Sequence, residues 1–262
     1  MLKFLLILCV LLLSTTSPCE AAEAVSASVV EQEPSLIAEY MHHITTVMPS
    51  LIKGARITVL VTGISICFGV FIGLSMSLMK LSSRWWLRLP GVVYVDCVRG
   101  TPLLVQILIV YFGLPGLILG LTGQRFPIDP ILAGVIAFSL NSGAYVAEIF
   151  RAGIQSIDRG QMEAARSLGM GHVMAMRLII LPQAFRRIIP PLGNEFIVLL
   201  KDSSLLSVIG VSELLMAGKL YAARTFAPFP TYIGIALVYL VMTVTLSRLV
   251  ALSERKLSPK KS

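Results

Sequence analysis

The sequence contains little charge: Asp, Glu, Lys and Arg make up 14% of its 262 residues, whereas 56% are hydrophobic. About a quarter of the residues in soluble domains are charged, so this composition excludes an ordinary soluble protein. The net charge of +8 does not indicate a nucleic-acid partner, because the Lys and Arg residues lie mainly in short segments between apolar runs. The composition indicates an integral membrane protein surrounded by lipid.

Residues that carry catalysis or metal binding are also scarce. The four cysteines and three histidines show no redox, zinc or HExxH spacing. No G-x-x-x-x-G-K-[ST] phosphate loop is present, and no pairing of nucleophile and base stands out. We therefore predict no catalytic residues, no metal site and no cofactor.

The apolar runs predict about five membrane-spanning helices, since about 20 apolar residues cross the hydrocarbon core. Four charge-free runs cover residues 57–79, 103–121, 130–147 and 231–247. A fifth run, residues 188–211, carries ionisable groups, and Pro190, Pro191 and Gly193 favour a discontinuous start beside a cavity. We expect an all-α polytopic fold whose other connections are mostly short loops.

The distribution of basic residues predicts the orientation and the domain limits. With the N-terminus outside and the C-terminus cytoplasmic, fifteen Lys and Arg residues lie inside and five outside, as the positive-inside rule expects. Residues 1–24 have the pattern of a signal peptide, with an uncleaved sixth span as the alternative. The expected divisions are an external segment at 25–52, a transmembrane domain at 53–250 and a basic cytoplasmic tail at 251–262.

The longest connection, residues 151–187, is cytoplasmic in this orientation. A structureless loop of this length is unusual, so it is expected to contain helices. Helix formers fill residues 161–168, Gly169 interrupts, and a second run from His172 is expected to halt at Pro182. On this pattern alone, a docking element and an amphipathic hairpin on the lipid surface are equally good interpretations.

Four stretches within roughly residues 50–255 resemble the permease subunits of ABC importers for polar amino acids and have the order found in that family. Three of them are RGTPLLVQ at residues 99–106, AYVAEIFR at 144–151 and the segment 194–205. The fourth resembles the EAA loop of these permeases, in which a Glu-Ala-Ala triplet is followed by a glycine and then by an apolar pair with proline. The residues that match it are Glu163, Ala164, Ala165, Gly169, Leu181 and Pro182.

The resemblance implies a type I ABC-importer permease fold in a bacterial inner membrane. It implies ABC ATPase subunits, a second permease subunit that is identical or related, and a periplasmic solute-binding protein as partners. In this family a short coupling helix docks on the ATPase. Here Glu163 would offer a negative charge, Ala164 and Ala165 would allow close approach, and Gly169 would permit the turn after the helix.

The ionisable residues in the fifth run point to a substrate path. Charge in hydrocarbon costs about 2.5–3.5 kcal/mol per residue on insertion scales, so such groups face a wet cavity or a partner. Glu195 and Asp202 are seven residues apart and share a helix face, whereas Lys201 lies to the side. A purely structural pairing of Lys201 with Asp202 is the alternative. The predicted pathway residues are Glu195, Asp202, Lys201, Ser203, Thr101 and Gln106.

Smaller predictions concern polar residues of the other spans. Glu148 and Arg151 are expected to form an ion pair, and Arg99 is expected to anchor at the cytoplasmic interface. Three residues of the third span either line the path or hydrogen-bond between helices. They are Asn141, Ser142 and Tyr145.

Taken together, the sequence predicts a permease subunit that imports a polar amino acid and is not an enzyme, with ATP hydrolysis on a separate chain. An ATP-independent secondary transporter or channel is the alternative; it explains the buried charges but not the EAA loop. A membrane enzyme would need a nucleophile–base or metal constellation, and the sequence shows none that is convincing. A sensor signalling through residues 151–187 would be distinguished by a kinase partner.

Overall fold

The computed structural model describes residues 35–257 of the chain. The predicted signal peptide at 1–24 lies outside these residues, as does the start of the predicted external segment. The chain divides between His43 and Ile44 into two units. Of the first unit, residues 36–43 are described and are helical; the contacts reported below lie within the second unit.

All regular structure within residues 35–257 is helical. Two of the helices contain a π-helical turn, at Ile109–Gly113 and at Met176–Ile180. The helix with the second of these turns ends in a 3₁₀ segment at Ser203–Ile209. The helices are α1 Leu36–Leu81, α2 Trp85–Arg99, α3 Leu103–Thr122, α4 Pro130–Gln155, α5 Arg159–Ser167, α6 His172–Ile209, α7 Leu214–Thr225 and α8 Pro228–Leu257.

The membrane-spanning helices agree with the sequence prediction. In the part of the chain that is described, α1, α3, α4 and α8 are each long and apolar enough to cross a membrane. Helices α6 and α7 pass the same test together, bent by 49° at the break between them, and give a fifth span if they count as one. The prediction of an all-α protein with about five spans is confirmed.

Helix α4 is the most enclosed of these spans, with 61% of its apolar window buried. It packs against α2, α3 and α6, and small residues bring α1 close to it as well. Gly73 of α1 faces Val146, and a Cβ at position 73 would lie 2.7 Å from the Val146 Cβ. Close approach through small residues is the usual basis of helix packing in lipid, and here it fixes the wall from which the site is built.

The path of α6 differs from the prediction at two places. The helix does not halt at Pro182 but continues from Leu181 to Asp202. The π-helical turn at Met176–Ile180 ends two residues before Pro182 and widens the helix next to the position where the Pro N–H is missing. Pro190 also lies inside the continuous helix, so the predicted discontinuity at the start of this span is wrong.

The discontinuity lies at the opposite end of α6. There the helix tightens into the 3₁₀ segment Ser203–Ile209 and stops at Gly210, whose φ of +83° is in the left-handed region that favours glycine. Asp202 is the last α-helical residue before this change. One of the predicted pathway carboxylates therefore lies where the span changes geometry.

Helix α2 is not predicted by the sequence, because its arginines and Asp96 interrupt the apolar pattern and the segment resembles a short loop between spans. It packs on α4, and the Tyr94 hydroxyl donates to the Leu140 carbonyl at 2.5 Å. The turn at Gly100–Pro102 then leads into α3. This arrangement places the end of α2 and the start of α3 beside the middle of α4.

Candidate functional site

A polar cavity of about 490 Å³ lies where the α2–α3 turn, α4 and α6 meet. Its polar lining combines Thr101 from the turn, Asn141 from α4, and Glu195 and Asp202 from α6. Arg99, Tyr145, Val198 and Leu199 also line it. Three of the six predicted pathway residues, which come from two segments far apart in sequence, thus face one space.

The two carboxylates of this cavity form no close ion pair in the described chain, although Arg99 and Lys201 lie near enough to attract Glu195 and Asp202, respectively. Glu195 and Asp202 are both half-buried, and neither makes a hydrogen bond or an ion pair within residues 35–257. They line the same cavity because seven residues span about two turns of helix. Unpaired acids on a span are costly, so the arrangement is suited to a cationic group that comes and goes.

Gln106 supports the polar wall from behind. Its Nε2 donates to the Val98 carbonyl at 2.7 Å and to the Thr101 hydroxyl at 2.9 Å, and its Oε1 accepts from Asn141 Nδ2 at 3.0 Å. Gln106 does not line the cavity itself. It joins the turn and α4, so Asn141 serves both as a lining residue and in the predicted interhelical hydrogen bonding.

The other two predicted pathway residues lie elsewhere. Lys201 is exposed on another face of α6 and does not line the cavity. Ser203 is fully buried; its hydroxyl donates to the Leu200 carbonyl at 2.7 Å and lies 3.4 Å from the Tyr239 hydroxyl. No hydrogen bond or ion pair joins Lys201 to Asp202 among the described residues.

A second cavity of about 450 Å³, here called the inner vestibule, lies between α4 and α6 towards α5. Its lining includes Ser156 and Arg187, and the Arg187 guanidinium donates to the Ser156 carbonyl. Arg99 and Tyr145 line both the vestibule and the polar cavity. Arg99 thus lies between the two spaces, with Cζ 5.1 Å from the Tyr145 ring centre; its anchoring at the cytoplasmic interface stays a prediction.

Glu148, also on the vestibule wall, is fully paired. Arg151 donates to its Oε2 from Nε at 2.9 Å and from Nη2 at 2.7 Å, which confirms the predicted ion pair. Lys80 at the end of α1 pairs with the other oxygen. The lysine was not predicted because it lies 68 residues away in sequence.

Helix α5 carries the EAA triplet at the surface. The Asp158 side chain caps its first turn by accepting from the Gly160 N–H at 2.6 Å. At its end, the Gly169 N–H donates to the Arg166 carbonyl at 3.0 Å and the Met170 N–H donates to the Ala165 carbonyl at 3.1 Å. Gly169 has a φ of +84°. This is a Schellman ending, which turns the chain sharply.

The triplet divides between two faces. Glu163 and Ala164 are exposed, whereas Ala165 is buried and cannot meet another chain. This differs from the expectation that both alanines permit close approach of a partner. The small Ala165 instead lies on the side of α5 that packs on the π-helical turn of α6, where Leu181 is half-buried and Pro182 exposed.

Apolar residues next to α5 are left uncovered. Leu168 is 84% exposed and Val173 is 78% exposed, and Leu178 is also exposed. The loop is nevertheless tied to the spans, because Gln183 of α6 donates to Gln161 of α5 at 3.3 Å. The element therefore combines a defined position with an uncovered surface of acidic and apolar groups.

Glu213 is a buried carboxylate that the sequence analysis missed. It caps α7 by accepting from the Leu215 and Met216 N–H groups, both at 2.7 Å, and from the Tyr239 hydroxyl at 3.1 Å. The signal available was an acid directly before an apolar helix. Its bonds join α7 to α8 and identify a structural role. Elsewhere in residues 35–257, His, Cys, Asp and Glu form no group of three that could hold a metal ion.

Comparison with known proteins places these features in context. Residues 65–259 match the family described as "Binding-protein-dependent transport system inner membrane component". The glutamine transport system permease protein GlnP of Escherichia coli K12 is 37% identical over 210 residues, covering 80% of this chain and 94% of GlnP. The arginine transport system permease protein ArtQ of Bacillus subtilis is 39% identical over 210 residues, covering 80% of this chain and 93% of ArtQ.

Solved structures agree with the fold. A crystal structure of an amino acid ABC transporter with histidines superposes with a TM-score of 0.74 at 48% identity, covering 79% of this chain and 94% of that chain. An inward-facing structure of the MetNI methionine ABC transporter gives a TM-score of 0.67 at 17% identity, covering 81% of this chain and 98% of that one. The second likeness concerns the fold alone.

Proposed function

The chain belongs to the inner membrane component family of binding-protein-dependent transport systems, and we propose that it is the permease subunit of an ATP-driven importer for a polar amino acid. The printed substrates of its relatives, glutamine and arginine, support that class. The observation that carries the proposal is the polar cavity with its two unpaired carboxylates. Glu195 and Asp202 accept the substrate ammonium, and Thr101 and Asn141 bind its polar groups.

The energy for import comes from separate ABC ATPase subunits bound at α5. Glu163 and Ala164 with the uncovered Leu168 and Val173 form the docking surface, and Gly169 sets the turn that presents it. The bonds from Gln183 to Gln161 and from Arg187 to Ser156 carry movement of α5 into α4 and α6. A solute-binding protein delivers the amino acid on the opposite side of the membrane.

We infer an orientation with the N-terminus outside and α5 in the cytoplasm of a bacterium. The support is the excess of Lys and Arg on the α5 side, fifteen against five. Lys201 is then exposed on the outer surface of a span. An ammonium in lipid is costly, so this face of α6 packs against the second permease subunit.

Reconstitution with the ATPase and the binding protein tests the proposal. Uptake of labelled polar amino acids should require ATP on the α5 side. Glu163→Lys should leave the chain inserted but abolish substrate-stimulated ATP hydrolysis, whereas Arg125→Glu, on the predicted outer side, should not. Uptake by the purified chain without any ATPase would contradict the proposal and favour the secondary transporter.

A further inference from the structure

The polar cavity and the inner vestibule meet at one pair of side chains. Of all their lining residues, the two spaces share Arg99 and Tyr145 and no other. The guanidinium carbon of Arg99 lies 5.1 Å from the centre of the Tyr145 ring. A cation within about 6 Å of an aromatic ring centre is attracted to its face, so the pair is held together across the junction.

The contact between Arg99 and Tyr145 can be broken by a small movement. The Arg99 side chain makes no hydrogen bond or ion pair within residues 35–257; it contacts the Tyr145 ring and lies near enough to Glu195 to attract that carboxylate. Arg99 is the last residue of α2 and Tyr145 lies in α4, so a shift between these helices parts them. The side chains of both are exposed to the cavities and have room to move.

We propose that Arg99 and Tyr145 form the inner gate between the polar cavity and the vestibule. The proposal rests on the proposed function, because a gate requires a passage. The gate is closed while the guanidinium covers the ring and opens when α2 moves away from α4. Since Arg99 lines the same cavity as Glu195 and Asp202, an ammonium bound there repels Arg99 and favours the open state.

Thiol accessibility tests the gate without requiring transport. All four native cysteines are first replaced by serine. Val198, which lines the polar cavity alone, and Ala152, which lines the vestibule alone, are then each changed to cysteine. The full-length chain in its assembled, nucleotide-free complex is exposed on the α5 side to a charged methanethiosulfonate reagent, and the labelling rate of each cysteine is measured.

We expect Ala152→Cys to react quickly in every background and Val198→Cys to react slowly while the gate is intact. Tyr145→Leu should speed the reaction of Val198→Cys about tenfold, which corresponds to ~1.4 kcal/mol, whereas Tyr145→Phe, which keeps the ring, should not. Tyr145→Leu also keeps the Arg99 charge, so attraction of the reagent cannot explain its effect. Arg99→Ala should act in the same direction.

An unchanged Val198→Cys rate in both Tyr145→Leu and Arg99→Ala overturns the gate. A misfolded variant is recognised by a changed Ala152→Cys rate, and Arg99→Gln then replaces Arg99→Ala. The two proposals can fail separately. If Tyr145→Leu speeds the labelling of Val198→Cys but the complex takes up no amino acid, the importer is contradicted and the gate is not. If the complex takes up amino acids but the labelling rate does not change, the gate is contradicted and the importer is not.

Discussion

Two sets of carboxylates on the spans differ in how they are paired. Glu148 receives charged hydrogen bonds from Arg151 and Lys80 on both of its oxygens. Glu195 and Asp202 line a cavity and form no hydrogen bond or close ion pair among the described residues. Glu148 lies in α4, which is long and apolar enough to cross a membrane, and the other two acids lie in α6, which passes that test together with α7. Location on a candidate span therefore does not distinguish them.

The difference separates structure from function. A paired carboxylate in a span joins helices, and Glu148 joins α1 to α4. An unpaired carboxylate in a span destabilises the folded chain by itself. Its presence is explained if a cationic group binds to it during part of the transport cycle. On this basis Glu148 holds the α5 end of the bundle, and we propose that the two acids of α6 bind the transported ammonium.

The largest expected effect comes from removing the paired acid. Glu148→Gln leaves Lys80 and Arg151 without a counter-charge and should lower the free energy of unfolding by about 2–3 kcal/mol, less than the roughly 3–5 kcal/mol of a fully buried pair. Denaturant unfolding in mixed micelles measures it. The matched control is Glu195→Gln, which should not lower the free energy of unfolding. Equal losses of stability in the two variants would contradict the distinction between paired and unpaired carboxylates.

The second prediction concerns transport. Glu195→Gln and Asp202→Asn keep the shape of each side chain and remove the charge that meets the ammonium. Loss of a charged hydrogen bond costs about 1.5–3 kcal/mol, so the KM for uptake should rise about 10–100-fold. Ser203→Ala is the control, because Ser203 is buried outside the cavity. A KM that rises in the control and not in the acid variants would place the path elsewhere.

The third prediction extends the comparison to α5. Gly169→Val forces a branched residue into a left-handed conformation (φ +84°) at a cost of about 1–2 kcal/mol. The Schellman ending should then shift, and substrate-stimulated ATP hydrolysis should fall with the chain still inserted. Gly169→Asn, which tolerates this conformation, should retain most of the stimulation. Full stimulation in Gly169→Val would show that the turn is not needed for coupling.

The smallest effect is expected at a fourth carboxylate, Glu213, which accepts hydrogen bonds from backbone N–H groups. Tyr239→Phe removes one hydrogen bond to it and should lower the free energy of unfolding by about 1 kcal/mol. The KM for uptake should stay unchanged. A raised KM in this variant would mean that the α7–α8 junction takes part in transport.

The spans and the helices within residues 151–187 could be predicted from the sequence, because hydropathy and helix-forming composition are local. The break in α6 could not be placed. Pro190 and Pro182 suggested a break near the start, yet a π-helical turn accommodates one and the helix continues through the other. Helix α2 was missed because its charges obscure the apolar pattern that packs on α4.

The site was predictable where residues share one helix and not where they meet across helices. Spacing placed Glu195 and Asp202 on one face, and the structure has both in one cavity. The contact of Arg99 with Tyr145 and the pairing of Lys80 with Glu148 join residues distant in sequence. Spacing within one helix carries no information about such neighbours.

The most direct test of the account is the initial rate of uptake of labelled polar amino acids by proteoliposomes that hold the complete complex. The double variant Glu195→Gln/Asp202→Asn is compared with the wild-type chain at equal amounts of assembled complex and with ATP on the α5 side. The account predicts ATP-dependent uptake by the wild type and its loss in the double variant. Wild-type uptake by the double variant would contradict it.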